Sequence, residues 1–165
     1  MLYFLREDME MPHQQGIKTV AQNRKAFHDY FIEEKLECGI ALFGTEVKSI
    51  RQGRINLKES WAQVRKGEVW VEGMHISPYE QGNIYNRDPL RPKKLLLHRR
   101  EIRKLESQVM RQGFTLIPLE VYFSSGRVKV LLGLCKGKQL HDKRDSIAQK
   151  DAQREIQRAM KERQR

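Results

Sequence analysis

The stretch LIPLEVYFSSGRVKVLLGL, residues 116–134, carries the clearest structural signal in the chain. Leu116 to Phe123 and Arg127 to Leu134 are apolar-rich runs that flank Ser124-Ser125-Gly126. An apolar period of two marks a half-buried strand, and a short Gly-containing link between two such runs marks a hairpin. On a regular pleat, Ile117, Leu119, Val121 and Phe123 share one face, and Val128, Val130, Leu132 and Leu134 share one face of the partner. Arg127 and Lys129 then point to the opposite side, where a polyanion can lie.

Working upstream, Phe27 to Glu34 and Glu37 to Phe43 are two short β-type runs, and Trp61 to Arg65 with Glu68 to His75 flank the turn pair Lys66-Gly67. Thr45 is placed to cap a short helix through EVKSIRQG that ends at Gly53. Arg99 to Gln112 reads as a full helix, with Ile102, Leu105 and Val109 as its apolar stripe and Gly113 as its stop. Residues 76–93, with Pro78, Gly82, Pro89 and Pro92, read as a long loop. About six strands with one full and one short helix predict a mainly β fold. The expected architecture is an OB-like antiparallel β-barrel with short flanking helices, spanning residues 23–136. Small barrels with a basic face often bind oligonucleotides, an argument from fold analogy.

Two terminal segments fall outside that pattern. Residues 1–22 show no period and read as a flexible arm, with Met1, Met9 and Met11 as alternative starts. Residues 137–165 form a basic tail in which Ala148, Ala152, Ile156 and Ala159 or Met160 recur at helical spacing. So thin a stripe predicts disorder when free and helix when docked.

The charge balance narrows the function. The chain has 165 residues, 32 Lys and Arg against 21 Asp and Glu, and a formal net charge of +11. The last 30 residues alone hold ten basic and five acidic residues. Such an excess favours a polyanion, because each neutralised phosphate releases a condensed counterion. Lone Cys38 and Cys135 form no CxxC pair and fit a reducing cytoplasm; no metal or cofactor is indicated. No apolar run approaches a membrane span, and MLYFLREDMEM does not read as a signal peptide.

Catalytic signals are sparse. Neighbouring His28 and Asp29, and Glu33 and Glu34, point to opposite faces of a strand and cannot work jointly. No nucleophile-elbow, zinc-protease, phosphate-loop or dinucleotide motif occurs. Asp142 and Asp145 flank Lys143-Arg144, but a flexible tail is a poor metal cage. The basic groups serve better as phosphate contacts: Lys48 and Arg51 one turn apart, Lys93, Lys94, His98, Arg99 and Arg100 around Leu95-Leu96-Leu97, Arg127 with Lys129, and Lys136 with Lys138. Few aromatics argue for a folded RNA read by shape, phosphates and a few exposed bases. A generic RNA chaperone and a metal-dependent nuclease stay open as alternatives.

Five ordered blocks resemble a known family: AQNRKAFHDYFIEE, GTEVKSIRQGRINLKES, MHISPYEQGN, DPLRPKKLLLHRREI and GLCKGKQLHDKR. From about Val20 to Arg165 the chain is similar to small protein B, the SsrA-binding family. The resemblance implies an OB-like barrel with a C-terminal tail and no catalytic activity. It implies binding to the tRNA-like domain of transfer-messenger RNA (tmRNA), which is charged with alanine and delivered with elongation factor Tu. It also implies trans-translation, in which stalled ribosomes are rescued and the incomplete peptide is tagged.

Carried over by position, Asn23, Lys25, His28, Glu37, Leu96, His98 and Lys129 would face RNA, Glu37 by reading a base rather than a phosphate. His141 and Asp142-Lys143-Arg144 match the tail motif, expected at the decoding centre of the small ribosomal subunit. The helix beyond would lie in the empty messenger channel, seated through Ile147, Ile156 and Met160, with Gly137 as hinge. Position 152 is Ala where some members carry a large aromatic, which shifts tail docking onto those three. A monomer without membrane contact is expected.

Overall fold

The computed structural model describes residues 16–164. β1 (Ile17–Gln22) leads into α1 (Arg24–Asp29), the long β2 (Tyr30–Ile40) and α2 (Gly44–Arg51). β3 (Ile55–Asn56), β4 (Trp61–Arg65), β5 (Glu68–Glu72) and β6 (His75–Ile76) precede a 3-10 segment (Glu80–Tyr85). β7 (Lys93–Leu96), α3 (Arg99–Gln112), β8 (Thr115–Ser124), β9 (Arg127–Gly137) and α4 (Leu140–Arg163) follow. The strands pair antiparallel in the order β8-β4-β5-β7-β2-β9, and β9 returns to β8, so the sheet closes into a barrel. β4 meets β8 only at Leu116, and β1 takes the same edge from Glu120 to Ser124.

Both predicted hairpins form. Ser125 and Gly126 have φ of 50° and 75°, and Lys66 and Gly67 have 52° and 72°. Two central residues with positive φ match the twist of the flanking strands. α3 also forms as read, with Ile102 and Leu105 buried and Gly113 left-handed at φ 68°. The β8 face assignment needs correction. Pro118 lies opposite Leu132 but Glu120 lies opposite Leu131, so Leu119 is an extra residue in the ladder. Such a bulge reverses the alternation. Ile117 and Leu119 therefore pack with Ala26 and Cys135 in a small second cluster, while Val121 and Phe123 meet the main core. On β9, Val130, Leu132 and Leu134 are in the main core and Val128 packs against it, as expected. Pro118 sits beside the bulge, where a missing N–H is tolerated.

Other expectations also give way. Residues 17–22 are a strand rather than part of an arm; residues 1–15 and their alternative starts lie outside the described residues. Phe27 to Asp29 belong to a helix, and a single strand from Tyr30 to Ile40 replaces the two runs. α2 is capped from Phe43, whose N–H donates to Glu46 Oε1 at 2.9 Å, while Thr45 Oγ1 donates to the Tyr85 carbonyl. The tail is a continuous helix with no buried residue, held at its start by a bond from the Gln139 N–H to Asp142 Oδ2.

Lys93 is not a phosphate ligand, for it is fully buried. Its Nζ donates to the carbonyls of Met74 at 2.6 Å, Arg91 at 3.0 Å and Pro89 at 3.1 Å, which ties both ends of the 74–93 loop together. Burial pushes its pKa down to about 8.

Two outcomes follow from this packing. A Cβ on Gly133 would lie 2.7 Å from Leu119 Cδ1, so Gly133→Ala should cost about 2 kcal/mol through overpacking. Urea denaturation reads this as a lower midpoint with an unchanged slope. For Lys93, the unfolded chain holds a proton that the folded chain releases between about pH 8 and the ordinary lysine value of 10.5. The Lys93 contribution to stability should therefore rise with pH across that window and be flat just below it, and it is read as the difference between the parent and a Lys93 variant because the buried thiols Cys38 and Cys135 act in the opposite direction. Lys93→Met should remove that contribution, so the parent-minus-variant difference grows between about pH 8 and pH 10.5, and by stranding three carbonyls it should destabilise the fold by roughly 3 kcal/mol at pH 7.

Candidate nucleic-acid interface

An open groove runs across the outer face where β2, β7 and β9 meet the start of α3. It is lined by Glu37 and Gly39 of β2, Lys94 and Leu96 of β7, Lys129 of β9, and His98, Arg99 and Arg103 at the start of α3. These side chains converge because Gly39 is opposite both Leu96 and Lys129 in the sheet. A Cβ at Gly39 would lie 3.2 Å from Leu96 Cβ, so the glycine lets Leu96 cross the strand and stay half exposed. Six sequence-predicted residues gather here: Glu37, Lys94, Leu96, His98, Arg99 and Lys129. Lys66 and Arg103 join them unpredicted. Lys66 was read only as a turn residue, whereas Arg103 follows Arg99 by one helical turn, a spacing that could have found it.

The groove's charge is mixed, which gives it more than phosphate affinity. Lys94 is half-exposed and pairs with Glu68 at 2.8 Å, a pair of little net worth in water. Lys66 and Lys129 have no carboxylate at ion-pair distance among the described residues. Glu37 stands beside them, and its Oε2 accepts a short hydrogen bond from the Tyr122 hydroxyl. Tyr122 pairs with Lys129 across β8–β9 and is buried. Burial and the adjoining carboxylate push its phenol well above its ordinary value, so it stays a donor. One Glu37 oxygen is thereby fixed and the other is left to accept from a base amino or imino group. Tyr122 was not singled out from the sequence, because in an unbroken alternation it reads as a generic strand residue.

The remaining predicted contacts lie elsewhere. Asn23 is buried: Oδ1 accepts from the Ala26 N–H, and Nδ2 donates to the carbonyls of Leu57 and Pro118, each at 3.1 Å. Its donors are spent inside the fold, so its expected place on the RNA-facing surface is corrected to that of a clamp joining α1, β8 and the β3–β4 link. Lys25 pairs with Glu59 at 2.9 Å, and His28 Nδ1 lies 2.9 Å from Asp29 Oδ1. Lys48 and Arg51 sit over the rings of Tyr79 and Phe123, outside the groove. Cys38 and Cys135 are free thiols pushed by burial to about 12 and about 11. Among the described residues no three metal-ligating side chains come together.

The tail residues form a second site. Gly137 ends β9 opposite Tyr30 and is absent from the positive-φ positions, so its backbone asks nothing that only glycine supplies. Lys136 is exposed, and Lys138 Nζ lies 5.1 Å from the Phe31 ring and donates to Ser146 Oγ. Lys143 Nζ is 3.4 Å from Asp29 Oδ1, and the Lys138 N–H donates to the Asp29 carbonyl, so Asp29 anchors the helix root. His141 Nε2 lies 3.2 Å from Asp142 Oδ1, and Arg144 projects into solvent. Beyond the root, Ile147, Ile156 and Met160 are all exposed, and the whole 24-residue helix is roughly 36 Å long at ~1.5 Å per residue.

Tyr122→Phe keeps the ring and removes only the donor. RNA held in the groove should lose about tenfold affinity in an anisotropy titration, the weight of one hydrogen bond to a charged group. The salt dependence should be unchanged, since no phosphate contact is lost. A flatter salt slope would show that Tyr122 acts through Lys129 rather than Glu37.

Residues 20–162 match the family model described as SmpB protein. An SsrA-binding protein of Acetivibrio thermocellus is 63% identical over 145 residues, covering 88% of this chain and 94% of that one. One from Clostridium novyi is 65% identical, covering 89% and 94%, and one from Geobacillus thermodenitrificans is 61% identical, covering 94% and 99%. A solved structure described as "tmRNA-SmpB: a journey to the center of the bacterial ribosome" is 50% identical with a TM-score of 0.62, covering 73% of this chain and 85% of that one. The family model and these relatives cover the chain nearly end to end, and this chain belongs to the SmpB protein family.

Proposed function

We propose that this chain binds tmRNA and serves trans-translation as a non-enzymatic factor. The groove holds the tRNA-like domain, with Glu37 accepting from a base, Leu96 and His98 packing against the nucleotide, and Lys66, Lys94, Arg99 and Lys129 neutralising the backbone. The observation that carries this reading is the convergence of Glu37, Leu96, His98 and Lys129, from three strands and a helix cap, on one face. The family membership supports the same partner. Asn23 supports binding indirectly, by fixing α1 against β8.

α4 is the ribosomal arm of the same reading. His141, Asp142, Lys143 and Arg144 reach the decoding centre, and the exposed Ile147, Ile156 and Met160 seat the helix in the vacant messenger channel. A vacant channel is lined with phosphate, which matches a helix whose basic residues are solvated along its length. Messenger would occupy the same space, so an intact translating ribosome excludes the helix. Alanyl-charged tmRNA with elongation factor Tu is the cargo, Lys25, Lys48, Arg51, Lys136 and Lys138 are secondary phosphate contacts, and the cytoplasm is the site of action. Among the described residues no helix is long and apolar enough to cross a membrane.

Deleting α4 separates the two sites. The shortened chain should bind tmRNA within about twofold of the parent, yet fail to support peptide tagging on stalled ribosomes in a reconstituted assay. Retained tagging without α4 would contradict its role. Because no residue of α4 is buried and its root is held to the barrel by exposed or half-buried polar contacts, folding should survive the deletion, as circular dichroism of the strand content can verify.

A further inference from the structure

The loop between β6 and β7 is more firmly held than a loop of its length needs to be. Asn86 clamps Tyr79 twice, accepting from its N–H at 2.9 Å and donating to its carbonyl at 2.8 Å. Gly82 is wedged so closely that a Cβ would lie 2.7 Å from Asn86 Oδ1 and 2.9 Å from Thr45 Cγ2. Ser49 Oγ donates to the Ser77 carbonyl at 2.6 Å, and buried Lys93 grips the far end. This frame forces Asn83 to φ 45° and ψ −116°, a conformation that side-chain-bearing residues rarely adopt. What the frame displays is apolar: Ile84 is 86% exposed and Tyr85 69%. Stability alone gives no reason to hold a strained tip so rigidly with its apolar side chains in water.

Beside the tip lies a layer of rings and cations. Phe43 is half exposed, with the Arg87 guanidinium 4.1 Å and the Arg91 guanidinium 4.7 Å from its ring centre. The local carboxylates are already engaged: Glu46 with Arg91 at 2.5 Å, Glu80 with Arg54 at 3.1 Å, and Asp88 with the Leu90 N–H. Arg87 therefore keeps its full charge with no carboxylate at ion-pair distance among the described residues. The patch also continues from the groove, since the Ala41 N–H donates to the Lys94 carbonyl and Arg91 Nη2 donates to the Ala41 carbonyl.

We infer that this patch is a second RNA contact, in which an unpaired base of the RNA bound in the groove stacks on Tyr85 and the Phe43–Arg87 layer while Arg87 meets its phosphate. The inference rests on the tmRNA reading above. A flat ring paired with an unneutralised guanidinium fits a nucleotide, which offers a π face and an anion together. An acidic protein segment would use the guanidinium but leave the rings and Ile84 uncovered.

The test uses the full chain and tmRNA transcribed with 4-thiouridine, irradiated at moderate salt, with crosslinked peptides mapped by mass spectrometry. Crosslinks to the peptide holding Ile84, Tyr85 and Arg87 are expected. In parallel, Tyr85→Ser and Arg87→Ala should each weaken binding about five- to tenfold, the loss expected for one stacked base. Lys129→Ala serves as the groove control. If Lys129→Ala weakens binding while both patch variants match the parent and no patch peptide crosslinks, the second contact is overturned and the groove reading stands. If all three variants bind like the parent, the groove reading falls as well.

Discussion

β9 is the strand on which the rest of the molecule depends. It pairs along nearly its full length with β2 on one edge and with β8 on the other. That double pairing satisfies both rows of its backbone groups and leaves β9 no open edge to protect. It also decides where chemistry can occur. Residues of β9 that face inward are spent on the core, so only the alternate positions reach the outside, and Lys129 is one of them. The same registers bring Gly39 and Tyr122 beside Lys129. The groove is thus a consequence of barrel closure rather than an addition to it.

Closure also requires departures from regular pairing, and these are concentrated where the second cluster forms. Leu119 is squeezed out of the ladder and lies over Gly133, the one residue there without a side chain to obstruct it. Asn23 then ties the bulged segment to α1, donating its backbone N–H to the Leu119 carbonyl at 2.7 Å and its side-chain amide to Pro118 and Leu57. The clamp stands directly before the helix that supplies Asp29, and Asp29 anchors the root of α4. A chain of packed and hydrogen-bonded contacts therefore runs from the barrel seam to the arm.

Much of this was legible in the residues, and the failures have physical causes. Hairpins announced themselves at Lys66-Gly67 and Ser125-Gly126, because the favoured turn needs residues that accept positive φ. α3 was legible because its stripe, Ile102, Leu105 and Val109, packs on one core. The faces of β8 were not, since a bulge depends on what lies opposite, and Gly133 is fourteen residues away from Leu119 in the chain. α1 was hidden because a helix of one and a half turns carries no periodicity; its only sign was Asn23, whose capping role was masked by its resemblance to an RNA-facing position. Lys93 shows the converse: a lysine in a basic run reads as a phosphate ligand until three carbonyls are found around it. Of the site, His98 and Lys129 were legible in the basic pattern and Glu37 and Leu96 were reached through family resemblance, whereas Tyr122 and Lys66 needed the coordinates because cross-strand neighbours are distant in sequence.

The central claim is that the groove recognises one folded RNA rather than polyanions at large. The direct measurement is a competition titration of labelled tmRNA against this protein at moderate salt, with bulk transfer RNA in excess. Mixed charge, a Glu37 carboxylate held by Tyr122 and a half-exposed Leu96 predict that tmRNA stays bound. Equal displacement by bulk transfer RNA would contradict the account and leave a basic barrel with general affinity for RNA.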